Sequence, residues 1–183
     1  MRSFRRNGWS GFTLLEALVV LAVLGTLLAL AAPNLTELRQ KHQMQSQAER
    51  LLGSLMLARS EALRRQQRVT LCLRSTGDFC ATKGSWGQGW VVFVDANDNA
   101  VREAQEPVLQ VQESLPSFLK LEGNATVNRY VSFGAEGRSQ TTTGAFQAGT
   151  LTLCQADATQ AWRLVINALG KPRLEKAEAD ACN

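Results

Sequence analysis

Four sets of residues have types and spacings that can do chemistry. The first is Glu16, the single charge in an apolar run from Phe12 to Ala32. An ionised carboxylate in hydrocarbon costs about 2.5–3.5 kcal/mol on insertion scales, so Glu16 calls for a cationic partner. The second is Asp95, Asn97, Asn99, Glu103 and Glu106, oxygen-bearing residues at positions 1, 3, 5, 9 and 12 of a calcium-loop spacing. Ala100 stands where such a loop uses glycine and Arg102 adds a positive charge, so the alternative is a set of turn residues between strands. The third is the cysteine set Cys72, Cys80, Cys154 and Cys182. The fourth is Gly170-Lys171-Pro172-Arg173, where two neighbouring cations, joined by Arg138, Arg163 and Lys176, can contact adjacent phosphates in a salt-dependent, sequence-independent way. Glu175, Glu178 and Asp180 lie beside this motif, and the same tetrapeptide reads equally as a hairpin turn.

Nothing else suggests a reaction. His42 is the only histidine, it sits among polar residues of a helical stretch, and no nucleophile motif accompanies it. The acidic residues near position 100 have no sugar cleft implied around them that would make a glycosidase pair. The chain is therefore expected not to be an enzyme, and calcium is the one ligand metal its spacing suggests.

The elements that must position these residues follow from periodicity. The 21 residues from Phe12 to Ala32 span about 31 Å as a helix, the thickness of a hydrocarbon layer. Arg2, Arg5 and Arg6 precede the run and orient it with its N-terminus in the cytoplasm. Ala29-Leu30-Ala31 also fits an ordinary secretory signal cut after Ala31, although the run is long for one and Glu16 disfavours it; a plain uncleaved anchor is the other alternative. Either one sends the remainder of the chain across the inner membrane. After Pro33, Ala48, Leu51, Leu52, Leu55, Ala58, Ala62 and Leu63 recur at three and four, predicting an amphipathic helix over about 34–66 continuous with the apolar run. Arg64, Arg65 and Arg68 crowd its end, where cations complement the helix dipole.

From Val69 the period shifts to strands, at Val69–Arg74, Gly89–Val94, Val108–Val111, Phe118–Glu122, Tyr130–Phe133, Thr150–Cys154, Trp162–Asn167 and Lys171–Leu174, with glycine, asparagine and serine turns between them. About 150 residues follow the apolar run, enough for one domain with its own core. The net charge of +4 is misleading: three of the 20 basic residues are Arg2, Arg5 and Arg6, and one of the 16 acids is Glu16, which leaves +2 for residues 34–183. Basic function there requires a local patch. In an exported domain the four cysteines oxidise, and with no Cys-x-x-Cys pair a zinc site is disfavoured. Of three possible connectivities the local one, Cys72 with Cys80 and Cys154 with Cys182, is preferred.

The N-terminal residues also carry a resemblance. A basic leader ending at Gly11, then Phe12, with Glu16 fifth after the break, resembles the class III signal of type IV pilins and type II secretion pseudopilins. The resemblance implies cleavage between Gly11 and Phe12 by prepilin peptidase, N-methylation of Phe12, and pairing of Glu16 with the amino terminus of a neighbouring subunit during filament assembly. Ala58-Arg59-Ser60-Glu61-Ala62, Val69-Thr70-Leu71-Cys72, Cys80 and Trp86-Gly87-Gln88-Gly89-Trp90-Val91-Val92-Phe93-Val94-Asp95 resemble the GspH/FimT/FimU minor pilins.

This second likeness implies an α+β pilin fold, with a long N-terminal helix whose first half spans the membrane and whose second half packs on antiparallel sheet. The divisions are a leader at 1–11, a membrane and assembly helix at 12–33, and a periplasmic domain at 34–183. Implied partners are major and minor pilins, prepilin peptidase and the inner-membrane assembly platform. The implied role is a minor pilin that primes or tips a type IV pilus, with an H-type pseudopilin of type II secretion as the alternative. Gly170-Lys171-Pro172-Arg173 further resembles the Gly-Arg-x-Arg motif of DNA-binding FimT-type minor pilins, with lysine for the first arginine, which implies DNA uptake as a third role.

Overall fold

A computed structural model describes residues 12–155, 160–178 and 182, without the side chains of 28–34 and 160. Gly11 and the leader lie outside the described residues. The chain divides into two compact units, residues 1–41 and 42–183.

Helix α1, Leu14–Arg65, runs without a break through position 33 and supplies residues to both units. In the first unit Phe12, Leu14, Leu15, Leu18, Leu21 and Leu24 are all at least half exposed. Glu37 and Lys41 pair one turn apart at 2.7 Å, and the lysine's hydrogen bond holds the Glu37 carboxyl below its usual range. Among the described residues no helix is long and apolar enough to cross a membrane. The run read from the sequence extends through 28–32, whose side chains lie outside the description.

In the second unit the helix buries Met44, Ala48, Leu51, Leu55, Ala58 and Ala62, alternating steps of four and three that keep one narrow stripe on one face. Leu52 is half-buried and Leu63 is 39 % exposed, so the stripe is narrower than the sequence suggested. Among the described residues eight strands follow: β1 (Val69–Leu73), β2 (Trp90–Val94), β3 (Val108–Gln112), β4 (Leu119–Gly123), β5 (Tyr130–Phe133), β6 (Gly149–Gln155), β7 (Gln160–Ile166) and β8 (Pro172–Glu178). They form two four-stranded sheets, ordered β3-β2-β1-β5 and β4-β6-β7-β8, with every pair antiparallel.

One core joins the helix stripe to the inner faces of both sheets: Leu71, Leu73, Trp90, Val92, Val131 and Phe133 from the first, Leu119, Leu121, Leu151, Leu153, Leu164 and Ile166 from the second. Period-two alternation puts these residues on one side of each strand. The two tryptophans find partners for their indole N–H groups, Trp86 at the carbonyl of Val127 (2.9 Å) and Trp90 at Ser54 Oγ (3.0 Å). The central strands β1 and β2 of the first sheet are buried on both faces. The sheet's other side carries a smaller cluster of Cys72, Val91 and Phe93, with Cys80, Val108 and Tyr130 around it.

Candidate functional site

The two disulfides are Cys72–Cys80 and Cys154–Cys182, the local pairing. Cys72 lies on β1 and belongs to the small cluster, so its bridge folds the loop after β1 back over the outer face of the first sheet. There Phe79 lies under the Arg102 guanidinium at 4.9 Å, and Arg102 also reaches Asp78 at 3.3 Å. The loops after β1 and β2 are thus tied together. Cys154 lies on β6, and the second bridge fastens Cys182 to the second sheet.

The calcium-spaced residues do share one loop, between β2 and β3, and most of their side-chain oxygens accept from donors of that loop and of β1. Asp95, fully buried, accepts from the backbone N–H of Asn99 and Ala100, both at 3.0 Å, and from Thr70 Oγ1 at 2.8 Å. Glu106 takes the N–H groups of Ala96 (2.8 Å) and Glu103 (2.9 Å). Asn97 and Asn99 donate their amides to Glu103. Burial pushes the Glu106 carboxyl up, while bonds from Glu106, Asn99 and Asn97 hold Glu103 down. Among the described residues no group of three or more His, Cys, Asp or Glu is placed to hold a metal ion. Of the loop's side-chain oxygens Glu103 Oε2 is the exception, buried without a hydrogen-bond partner, while the remaining bonds are those that Asp and Asn make in turns.

The candidate phosphate-contacting cations are divided. Gly170 has φ +71, and a Cβ there would lie 2.2 Å from the carbonyl of Gly137 and 3.1 Å from the carbonyl carbon of Arg138. That close approach seats the turn before β8 on the loop after β5, so the backbones at Lys171 and Arg138 run near one another, and both residues are exposed. Arg173 pairs with Glu175 at 2.7 Å. Lys176 projects to the opposite face of β8 from Arg173 and lies over Trp162, 5.5 Å from the ring centre. Arg163 stands opposite Glu175 in register and shares the Arg173 face.

Arg64 and Arg65 do close the helix end, both bonded to Glu61 at 2.6 and 2.7 Å, which holds the Glu61 carboxyl at about 2 through Arg64 first and Arg65 next. Arg68 departs from the expectation. It lies beyond the helix, is 8 % exposed, and heads a buried chain of hydrogen bonds. Its Nη1 donates to Ser132 Oγ (3.3 Å) and to the carbonyl of Thr141 (2.8 Å). Thr70 gives its only hydroxyl hydrogen to Asp95, so Ser132, 2.9 Å away, donates to Thr70. The chain runs Arg68 to Ser132 to Thr70 to Asp95 across the outer face of the first sheet. Nearby, Gln147 is fully buried, accepts from the Ser132 N–H at 3.0 Å and donates to the carbonyls of Thr126 and Tyr130. The sequence signal for this cluster was present in the outward positions of β1 and β5, where Thr70 and Ser132 stand between apolar neighbours.

Phe12 and Glu16 are exposed at the start of α1, with the Glu16 N–H 3.3 Å from Thr13 Oγ1. His42 is exposed too, as a solvated side chain.

Residues 47–170 match the model of a family described as type II transport protein GspH. Among solved structures, the type IV minor pilin FimU of Pseudomonas aeruginosa is 23% identical, covers 77% of this chain and 92% of its own, and superposes with a TM-score of 0.56. A second crystal form of FimU gives 24% identity, 74% and 94% coverage, and a TM-score of 0.53. The minor pseudopilin EpsH of the Vibrio cholerae type II secretion system is 13% identical, covers 74% of this chain and 97% of its own, and gives 0.51. No curated protein sequence matches. At these identities the likeness to the solved structures is one of fold: a helix packed on two antiparallel sheets.

Proposed function

The chain belongs to the GspH family, a family of structural pilins, and from that premise we propose that it is a minor pilin of a type IV pilus, acting in the priming or tip complex. Cleavage falls between Gly11 and Phe12, prepilin peptidase methylates the new Phe12 amino group, and residues 12–33 anchor the subunit in the inner membrane with residues 34–183 in the periplasm. The observation that carries the reading is the exposed apolar start of α1, whose single charge among the described side chains of 14–27 is Glu16. An apolar helix surface of that length needs lipid or other helices around it. A lone carboxylate there is stabilised by a cation, which a neighbouring subunit's amino terminus supplies. Major and minor pilins, and the assembly platform, are the corresponding partners.

Peptide mass spectrometry of sheared surface pili tests this. An N-methylated Phe12 terminus in the sheared fraction supports the pilus. The same terminus confined to membranes supports the alternative, an H-type pseudopilin of type II secretion, and a terminus at Ala32 removes both.

A second reading, DNA contact during uptake, draws on the close backbone approach of Gly170 to Gly137 and Arg138, next to the exposed Lys171. Two adjacent exposed cations give weak binding that falls steeply with salt. Duplex DNA binding at low salt that is lost in Lys171→Ala with Arg138→Ala supports it, and no binding at low salt removes it.

A further inference from the structure

Beside the end of α1 lies a pocket of about 280 Å³ lined by Gln66, Gln67, Arg68, Asp95, Asp98 and Gln140, among others. The Arg68 side chain is only 7 % exposed, yet one edge of its guanidinium lacks well-directed acceptors. The Nη1 hydrogens go to Ser132 and Thr141, Nη2 makes a long 3.5 Å contact to Gln140 Oε1, and Nε–H is aligned with no acceptor. Asp98 Oδ1 stands 2.8 Å from Nε without lying along its N–H, and Asp98 is itself 58 % exposed. The Nε and Nη2 edge is the fork that binds both oxygens of a carboxylate. Asp95, the other acid lining the pocket, has its oxygens committed to Thr70 and to two backbone N–H groups.

The backbone around this pocket is also unusual. Among the described residues the non-glycine positions with positive φ are Gln66 (53°), Asp98 (62°) and Ala100 (58°), two of which line the pocket while the third lies two residues from Asp98. Left-handed non-glycine backbone persists only where surrounding structure over-determines it, and it concentrates at ligand clamps and switches. Here it holds Asp98 against Arg68 in a misaligned contact.

We propose that the Arg68 pocket receives a carboxylate side chain from a neighbouring pilin subunit, with Asp98 as the resident carboxylate that gives way. The source of the carboxylate rests on the subunit reading above; the pocket itself does not. An incoming Asp or Glu engages Nε and Nη2 together, and the side-chain amides of Gln66, Gln67 and Gln140 at the rim suit the polypeptide that carries it. Asp98, freed, turns to solvent.

The first test uses the full chain in detergent micelles with ¹⁵N-labelled arginine and succinate as the probe, at constant ionic strength. The Arg68 Nε–H resonance is expected to shift saturably with succinate and not with chloride. Removing the competing carboxylate in Asp98→Ala is expected to tighten the apparent affinity about two- to fivefold, the range for an exposed ion pair. Gln140→Ala, which leaves the Arg68 charge in place, is expected to weaken it. Near-ultraviolet circular dichroism establishes that each variant keeps its packed tryptophans. No saturable shift in natively folded Asp98→Ala protein overturns the pocket.

The second test places a photo-crosslinker at Ala96, on the pocket wall, in cells assembling filaments. An adduct with an Asp- or Glu-bearing peptide of another subunit is expected in the sheared fraction. Filaments that contain the chain but give no such adduct overturn the subunit source. Filaments that lack the chain overturn the pilus reading, while the succinate titration still decides the pocket.

Discussion

The Trp90 indole N–H donates to Ser54 Oγ at 3.0 Å, and both residues are buried, on β2 and α1 respectively. Ser54 hands its own hydrogen back to the Arg50 carbonyl at 3.0 Å, so the serine satisfies a tryptophan that only the helix can reach. Ser54→Ala leaves the indole donor unpaired, and the expected loss is about 1–3 kcal/mol. Adding Trp90→Phe removes the orphaned donor along with some packing, so the double variant should lose less than the two single losses summed. Thermal denaturation of the four proteins completes the cycle.

The Glu61 carboxyl, held at about 2 by Arg64 and Arg65, gives the helix end a pH signature. A depressed carboxyl contributes stability that is fully present above its unfolded value near 4.5 and is lost as pH falls through its folded value. Between pH 4.5 and 2 the wild-type melting temperature should therefore fall more steeply than that of Glu61→Gln. Parallel curves for the two proteins would contradict the assignment.

The two disulfides differ in the chain they close, spanning 8 and 28 residues. On the chain-entropy account, losing Cys72–Cys80 costs about 2.6 kcal/mol and losing Cys154–Cys182 about 3.6 kcal/mol. Paired Cys→Ser variants unfolded in urea should rank in that order.

Thr70 is the hinge of the buried polar chain. Thr70→Val keeps shape but strips Asp95 of one donor and Ser132 of its acceptor, so about 1–3 kcal/mol should be lost. Thr70→Ser should recover most of it, as urea midpoints of the two variants will show.

Within the proposed filament role, Glu16→Val should leave the folding of residues 42–183 unchanged and deplete the chain from sheared pili. Immunoblots of sheared and membrane fractions provide the comparison.

The strands were legible because each is a short apolar alternation bounded by turn residues, as Val69–Leu73 and Trp90–Val94 are. β8 extends to Glu178, beyond the expected Leu174, since an edge strand that carries Glu175 on one face and Lys176 on the other shows little apolar signal. The division into two sheets was not legible. It depends on β1 pairing with β5 and β4 with β6, contacts that no local periodicity encodes. Arg68 was misread because only two residues, Gln66 and Gln67, separate it from Arg65. The chain turns at Gln66, whose φ is 53°, and carries Arg68 off the helix axis into the protein. The Asp95–Glu106 stretch showed its oxygens in sequence, but what those oxygens face depends on backbone N–H directions, which composition does not specify. Leu63 was assigned to the core by its spacing; it meets Gly137 instead, where a Cβ would approach its side chain to 2.9 Å.

The buried stripe from Met44 to Ala62 has a mechanical meaning. It spans 18 residue steps, about 27 Å of helix, with one apolar contact on every turn. A pull along the helix from residue 42 therefore loads those contacts in shear, all together, whereas a pull across it would peel them one by one. The Trp90–Ser54 bond near the middle of the stripe must break before the helix can slide by even half a turn. Within the proposed filament role, a subunit built this way is stiffest along the axis of residues 44–62.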